Sequence, residues 1–343
     1  MEEKGRIGIP KALMFYRFFP LWRTFFEELG WRVIVSDGSK KGKIIYFEDS
    51  CLPMKLLVTH ATHLKDKVDH LFIPRLVSLH RTYIMCPKFR GAPDIVRLAT
   101  EGKVSIIDET IDLRIGGNSL LQSFSKIGEK LGVSNKEIKK VFSKAQRSFS
   151  TFQDGWMDRI NRLPSRQLFQ LDISTPGMQD ISPPPAGGDE GEGDRKNASL
   201  RIALSGHPDN LYDIDINKDI LALIKVLGME IVTSDLVSEE EIDHEISDLS
   251  KEIYWSSGRE IVGSLFHFLS GGADGVIFLT SFKCGIDALL QEFIKRRLKV
   301  RGGTSIPLLV LSFDEHTGRE GLITRLEAFR DLMEQQKERK YLG

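Results

Sequence analysis

Cysteine is nearly absent from this chain: Cys51, Cys86 and Cys284 are all there is in 343 residues. Their spacings are wide (86 − 51 = 35 and 284 − 86 = 198), and no C-x-x-C pair occurs. That excludes the zinc-ribbon, thioredoxin and ferredoxin signatures. An odd count also disfavours a disulfide framework. Net charge is absent too, with 48 Lys+Arg against 48 Asp+Glu. A broad nucleic-acid surface normally shows as a basic excess, so none is expected. There is no uncharged apolar run of about 18 residues, so no membrane span is expected. The opening Met1-Glu2-Glu3-Lys4-Gly5-Arg6 has no apolar signal core, and a cytoplasmic location is expected. Also missing are a G-x-x-x-x-G-K-S/T phosphate loop, a G-x-G-x-x-G turn after the first strand and a G-x-S-x-G elbow. Hydrolysis of ATP by this chain is therefore not expected.

What is present is a βαβα rhythm. Arg6–Ile9 and Trp31–Val35 read as strands around a helix at Leu21–Leu29. A strand at Ile44–Phe47, a helix at Pro53–Leu64 and strands at His70–Ile73 and Val104–Ile107 follow. Residues 118–173 read as a helical insertion. Residues 174–198, with Pro183-Pro184-Pro185 and a Gly/Asp/Glu run, cannot bury enough apolar surface to offset their ordering entropy and read as a flexible linker. The rhythm restarts with strands at Leu200–Leu204, Glu230–Val232, Gly275–Thr280 and Pro307–Ser312, and helices near 217–227, 258–270, 286–299 and 319–337. The expected organisation is an N-terminal α/β domain over 1–117, the helical segment, the linker, and a C-terminal α/β domain over 199–343. Both domains are expected to be doubly wound, with parallel sheets facing a cleft.

Each cysteine is expected just past a strand, and ligands of open α/β sheets bind outside the carboxyl ends of the strands. Cys51 precedes a helix start at Leu52-Pro53, and Cys284-Gly285 precedes another. A helix N-terminus carries partial positive charge and free N–H groups, which favour a thiolate. Three thiols at one edge could grip three corners of a cubane; lone cytosolic cysteines are also often plain buried hydrophobes. Lys55, Arg75, Arg81 and Lys88 crowd the first two cysteines and are candidates for offsetting site charge or holding a substrate phosphate or carboxylate. A solvated surface is the alternative. His207, after the first strand of the second half, and Asp314-Glu315-His316, after its last, are further candidates beside ordinary loop and capping roles. Asp287 near a helix start reads as a complement to the helix dipole.

Several segments resemble one family. They are Ile7-Gly8-Ile9-Pro10-Lys11-Ala12-Leu13 with Phe18-Phe19-Pro20-Leu21-Trp22; Ser50-Cys51-Leu52-Pro53-Met54-Lys55; Phe72-Ile73-Pro74-Arg75; Cys86-Pro87-Lys88-Phe89; Gly206-His207-Pro208; Tyr254-Trp255-Ser256; Leu279 to Gly285; Asp314 to Gly318; and Thr324 to Phe329. Together they resemble the acyl-CoA dehydratase activase-related proteins of the 2-hydroxyacyl-CoA dehydratase group. The resemblance implies two Rossmann-like domains and a 4Fe-4S cluster held by Cys51, Cys86 and Cys284. It implies low-potential electron chemistry linked to dehydration of a 2-hydroxyacyl-CoA, with a separate ATP-dependent activator as electron donor. It leaves two other readings open: a homodimeric double-cubane reductase of small molecules, and a non-catalytic cluster-carrying subunit. Lys55, Arg75, Lys88, His207 and His316 are the substrate-binding candidates. Lys283, Ile286 and Asp209 depart from the glycine, proline and aromatic residue usual in that family.

Overall fold

The computed structural model describes residues 3–36, 50–116, 119–156, 159–160, 168, 200–249, 252–300 and 306–342. The expected strand at 44–47 and the expected linker at 174–198 lie outside these residues.

The first part runs β1 (Arg6–Ile9), α1 (Phe15–Glu28), β2 (Arg32–Val35), α2 (Leu52–Leu64), β3 (His70–Phe72), β4 (Arg75–Ser78), α3 (Pro87–Ala99), β5 (Ser105–Ile107) and β6 (Thr110–Asp112), then α4 (Leu120–Lys130) and α5 (Asn135–Asp154). The second runs β7 (Arg201–Gly206), α6 (Pro208–Tyr212), α7 (Ile214–Asn217), α8 (Ile220–Val226), β8 (Glu230–Thr233), α9 (Glu239–Ile246), α10 (Ser256–Ser270), β9 (Gly275–Ser281), α11 (Gly285–Val300), β10 (Leu308–Phe313) and α12 (Arg319–Leu342).

Two four-stranded sheets result, ordered β2-β1-β3-β5 and β10-β9-β7-β8, with every pairing parallel. Counted within its own sheet, each has the order 2-1-3-4. That is the doubly wound, Rossmann-like α/β pattern, with a switch point between the first and third strands. Parallel strands buried on both faces read as continuous apolar runs, and β9 (GVIFLTS) is buried at all seven positions.

Three differences from the sequence reading have physical causes. Helix α1 begins at Phe15, not Leu21, and carries Pro20 inside it. Burial of Phe15, Tyr16, Phe19, Trp22, Phe25 and Phe26 on one side outweighs the lost proline N–H. The chain stays extended past Pro74, so β4 and β6 form a separate two-stranded parallel sheet. Finally, α4 and α5 pack back onto α1, with Phe25–Phe124 ring centroids 4.7 Å apart and Phe18–Phe149 5.8 Å apart. Ser119 and Ser134 cap these two helices, Ser119 in a reciprocal capping box with Gln122.

Candidate functional site

All three cysteines occupy helix N-cap positions. The Cys51 carbonyl accepts from the Lys55 and Met54 amides, that of Cys86 from Phe89, and that of Cys284 from Ala288. Cys51 has an extended backbone, and proline falls in the first two positions of the helices that follow Cys51 and Cys86, Pro53 second in α2 and Pro87 first in α3. Proline at the first helical position costs nothing there, because its missing N–H would be an orphan anyway. Cys284 closes a turn after β9, with its N–H on the Ser281 carbonyl at 3.0 Å. Lys283 in that turn takes the left-handed conformation, φ 64°.

Cys284 packs against two hydrophobic clusters: Cys51 belongs to the first, and Cys86 packs, like Cys284, against the second. A charge on Cys284 would hold both other thiols up. The Cys86 segment reaches the second half because Ile84 makes a parallel bridge to Trp255, with the Ser256 amide donating to the Ile84 carbonyl at 2.9 Å. Burial pushes the Cys51 thiol up, and neighbouring Cys284 adds to this, while the Lys88 ammonium opposes it. Burial pushes Cys86 up as well, against His207 and Lys88. The amides of Met54 and Lys88 lie beside these two sulfurs and favour thiolate, although neither geometry closes a side-chain cap. Lys88 therefore serves both N-terminal thiols, its side chain toward Cys51 and its backbone toward Cys86.

His207 follows β7, the strand beside β9, and one of its ring nitrogens lies within 4.8 Å of Cys284 Sγ. Its Nε2 lies 2.9 Å from Asp287 Oδ1. This is an ionic contact off the axis of a linear hydrogen bond, since Oδ1 has no well-aligned donor. Asp287 is 1% exposed, and its Oδ2 accepts the Ser281 N–H at 2.9 Å. Burial disfavours charge on His207, yet Asp287 and Cys284 outweigh it and hold the imidazole well above its ordinary value. Donor atoms of His207, Cys284 and Asp287 all lie within 4.8 Å of one another. Gly206 makes this approach feasible, because a Cβ there would sit 2.7 Å from the Leu279 carbonyl oxygen.

The other sequence candidates are placed differently. Lys55 ion-pairs with Glu315. Arg75 forms a two-pronged pair with Asp94 at 2.7 and 2.9 Å. His316 is exposed, its amide bonded to Asp314 Oδ1 at 3.0 Å. Asp314 and Thr317 hydrogen-bond each other at 2.8 Å, a turn-closing role. Sequence reading gave Asp287 a dipole role only. Its place three residues past Cys284 was the available signal for more.

The family described as CoA enzyme activase uncharacterised domain (DUF2229) matches residues 6–237, more than half of the chain. The chain belongs to that family. Cys51, Cys86, Lys88 and His207 fall inside the CoA enzyme activase segment; Cys284 and Asp287 lie beyond it. None of the curated proteins matches. Among solved structures, the C-terminal domain of glucosamine-fructose-6-phosphate aminotransferase from Francisella tularensis is 8% identical, with 96% of this chain and 82% of that chain covered and a TM-score of 0.21. A likeness at that level carries no argument. Among the described residues, no helix is long and apolar enough to cross a membrane.

Proposed function

We propose that this protein is an iron–sulfur redox protein that holds one 4Fe-4S-type cluster through Cys51, Cys86 and Cys284. Its task is low-potential electron chemistry linked to ATP-activated dehydration of a 2-hydroxyacyl-CoA. One observation supports the reading: three thiols, distant in sequence, each stand at the start of a helix, and Cys51 and Cys86 share apolar clusters with Cys284. Soft thiolate donors suit iron–sulfur clusters. Helix N-termini and the Lys88 ammonium supply the positive potential that an anionic cluster needs. The family's description as a CoA enzyme activase domain supports the acyl-CoA context. The sequence has no phosphate-loop motif, and the reading assigns ATP hydrolysis to an activator that is outside these residues. Such a cluster supplies one-electron chemistry when bound, and the chain's own part is to hold it, dry it and balance its charge.

Anaerobic reconstitution with iron and sulfide tests this. Stoichiometric iron and sulfide with broad absorbance near roughly 400 nm is the expected result. Cys51→Ala, Cys86→Ala and Cys284→Ala should each abolish or cripple it. Full iron in the Cys86 variant would refute the ligand set.

A further inference from the structure

Three cysteines leave one position of a four-coordinate site or one corner of a cubane without a protein ligand. We propose that His207 supplies it as the fourth ligand, with Asp287 setting the imidazole. The inference rests on the reading of the cysteines as metal ligands.

Topology puts His207 where it is needed. It leaves β7 and Cys284 leaves the loop after β9, two adjacent parallel strands that meet at the switch point of the second sheet. A ring nitrogen of His207 lies within 4.8 Å of Cys284 Sγ. Cys51 and Cys86 pack in the two apolar clusters that Cys284 touches.

Asp287 supplies the second, independent observation. Its carboxylate is 1% exposed, and Oδ1 lies 2.9 Å from His207 Nε2 with no aligned hydrogen-bond donor of its own. A metal-bound histidine almost always gives its other ring N–H to a carboxylate, carbonyl or water, which fixes tautomer and ring orientation. With Nε2 at the carboxylate, Nδ1 is the nitrogen left for a metal. Asp287 is assigned as the orienting group rather than a ligand, because Oδ2 accepts the Ser281 amide and Oδ1 is in ionic contact with His207 Nε2, where a small turn of the ring would close the hydrogen bond. A Cys–His–Asp nucleophile has the same three residue types. Two further thiols packed in the clusters that Cys284 touches favour the metal assignment.

Four protein ligands change what the site is for. A site closed by imidazole has no open corner for a substrate oxygen and suits passage of electrons. This separates a cluster carrier from a dehydratase with a free iron.

The test uses the full chain, made anaerobically with 15N-histidine and reconstituted with iron and sulfide. Pulsed EPR of the reduced protein should show a directly coordinated nitrogen. The coupling should vanish in His207→Ala and persist in His316→Ala. Full iron and sulfide without nitrogen coupling in the unaltered protein would overturn the fourth-ligand assignment and leave the cluster standing. If no cluster assembles, the iron–sulfur reading falls, and titration with Co2+ alone decides the histidine. A loss of about 10–100-fold in Co2+ affinity in Asp287→Asn, and at least as much in His207→Ala, keeps His207 as a ligand of a mononuclear site. Unchanged affinity in both, no Co2+ binding at all, or metal-free protein whose Cys284 alkylates as a nucleophile only when His207 is present, sinks it.

Discussion

Lys55 and Glu315 form an ion pair across 260 positions of sequence, with side chains only 9% and 12% exposed. The pair joins the helix capped by Cys51 to the loop after the last strand. Replacing Glu315 by Gln removes the carboxylate that this largely buried ammonium faces and should cost about 3 kcal/mol, the low end for breaking a buried pair. Urea denaturation of the two proteins checks this. Burial works against the charged form of Glu315, but Lys55 outweighs it and holds the carboxyl below its usual range. The pair's stabilisation is therefore complete above the ordinary carboxylate value and is lost as pH falls through the lower folded value. Glu315→Gln should flatten that acid limb.

Lys88 is the cation that both N-terminal thiols share. Metal loading requires thiolates and releases protons, so affinity should rise with pH until the thiols have ionised. Because burial holds Cys51 and Cys86 up, that rise should extend above neutrality. Lys88→Gln should move the Co2+ affinity profile to higher pH with little change in its plateau. Titrations at a series of pH values read the shift directly, and an unmoved profile would deny Lys88 its role.

Two buried groups give opposite pH dependences. His60 is 1% exposed, and burial, with Lys11 and then His63 adding to it against Asp215, pushes it down to about 4. Its unfolded form binds a proton near the ordinary value of about 6.5, so stability falls between there and about pH 4, by roughly 3 kcal/mol in all. His60→Leu should remove that loss. Asp209 is held well above the carboxylate range by burial and then by Asp213, against His207 and the Leu13 amide. Its raised value favours the folded state as pH falls and costs stability at neutrality. Asp209→Asn should raise the melting temperature at pH 7.5 more than at pH 5. Thermal melts of both variants across that range separate the two effects.

Gly206 faces the Leu279 carbonyl oxygen too closely for a side chain. Gly206→Ala should part β7 from β9 at the point where His207 meets Cys284. The expected outcome is a folded protein with metal affinity lowered at least tenfold, measured by Co2+ titration. Lys283 sits in the left-handed region, where a non-glycine residue costs about 1–2 kcal/mol. Lys283→Gly should therefore stabilise the protein by about 1 kcal/mol in the same denaturation assay.

The sheets were legible in the sequence because parallel strands buried on both faces are written as apolar runs bounded by turns. Arg6–Ile9, Glu230–Thr233 and Gly275–Ser281 fell close to their expected bounds. Helix α3 was not read, because Pro93 lies inside it and its buried face is only Ala92, Pro93 and Val96. The start of α1 was missed for a like reason at Pro20. At the site, the capping positions of Cys51 and Cys284 could be read from Leu52-Pro53 and Gly285. The partnering of Lys55 with Glu315, and of His207 with Asp287, could not, since each depends on where two loops far apart in sequence come to rest. Cys86 needed the bridge from Ile84 to Trp255, for which neither segment carries a local signal.

The spread of the three caps along the chain also sets a timetable. Cys86, the second of the three, leaves the ribosome 284 − 86 = 198 residues before Cys284 does, and Cys51 earlier still. At synthesis rates of about 5–20 residues per second, that is roughly 10–40 s during which two thiols wait without their third. If the three cysteines share one group, as proposed, its third ligand exists only after translation has passed the last cysteine, and until then the nascent half carries a pair of oxidisable sulfurs.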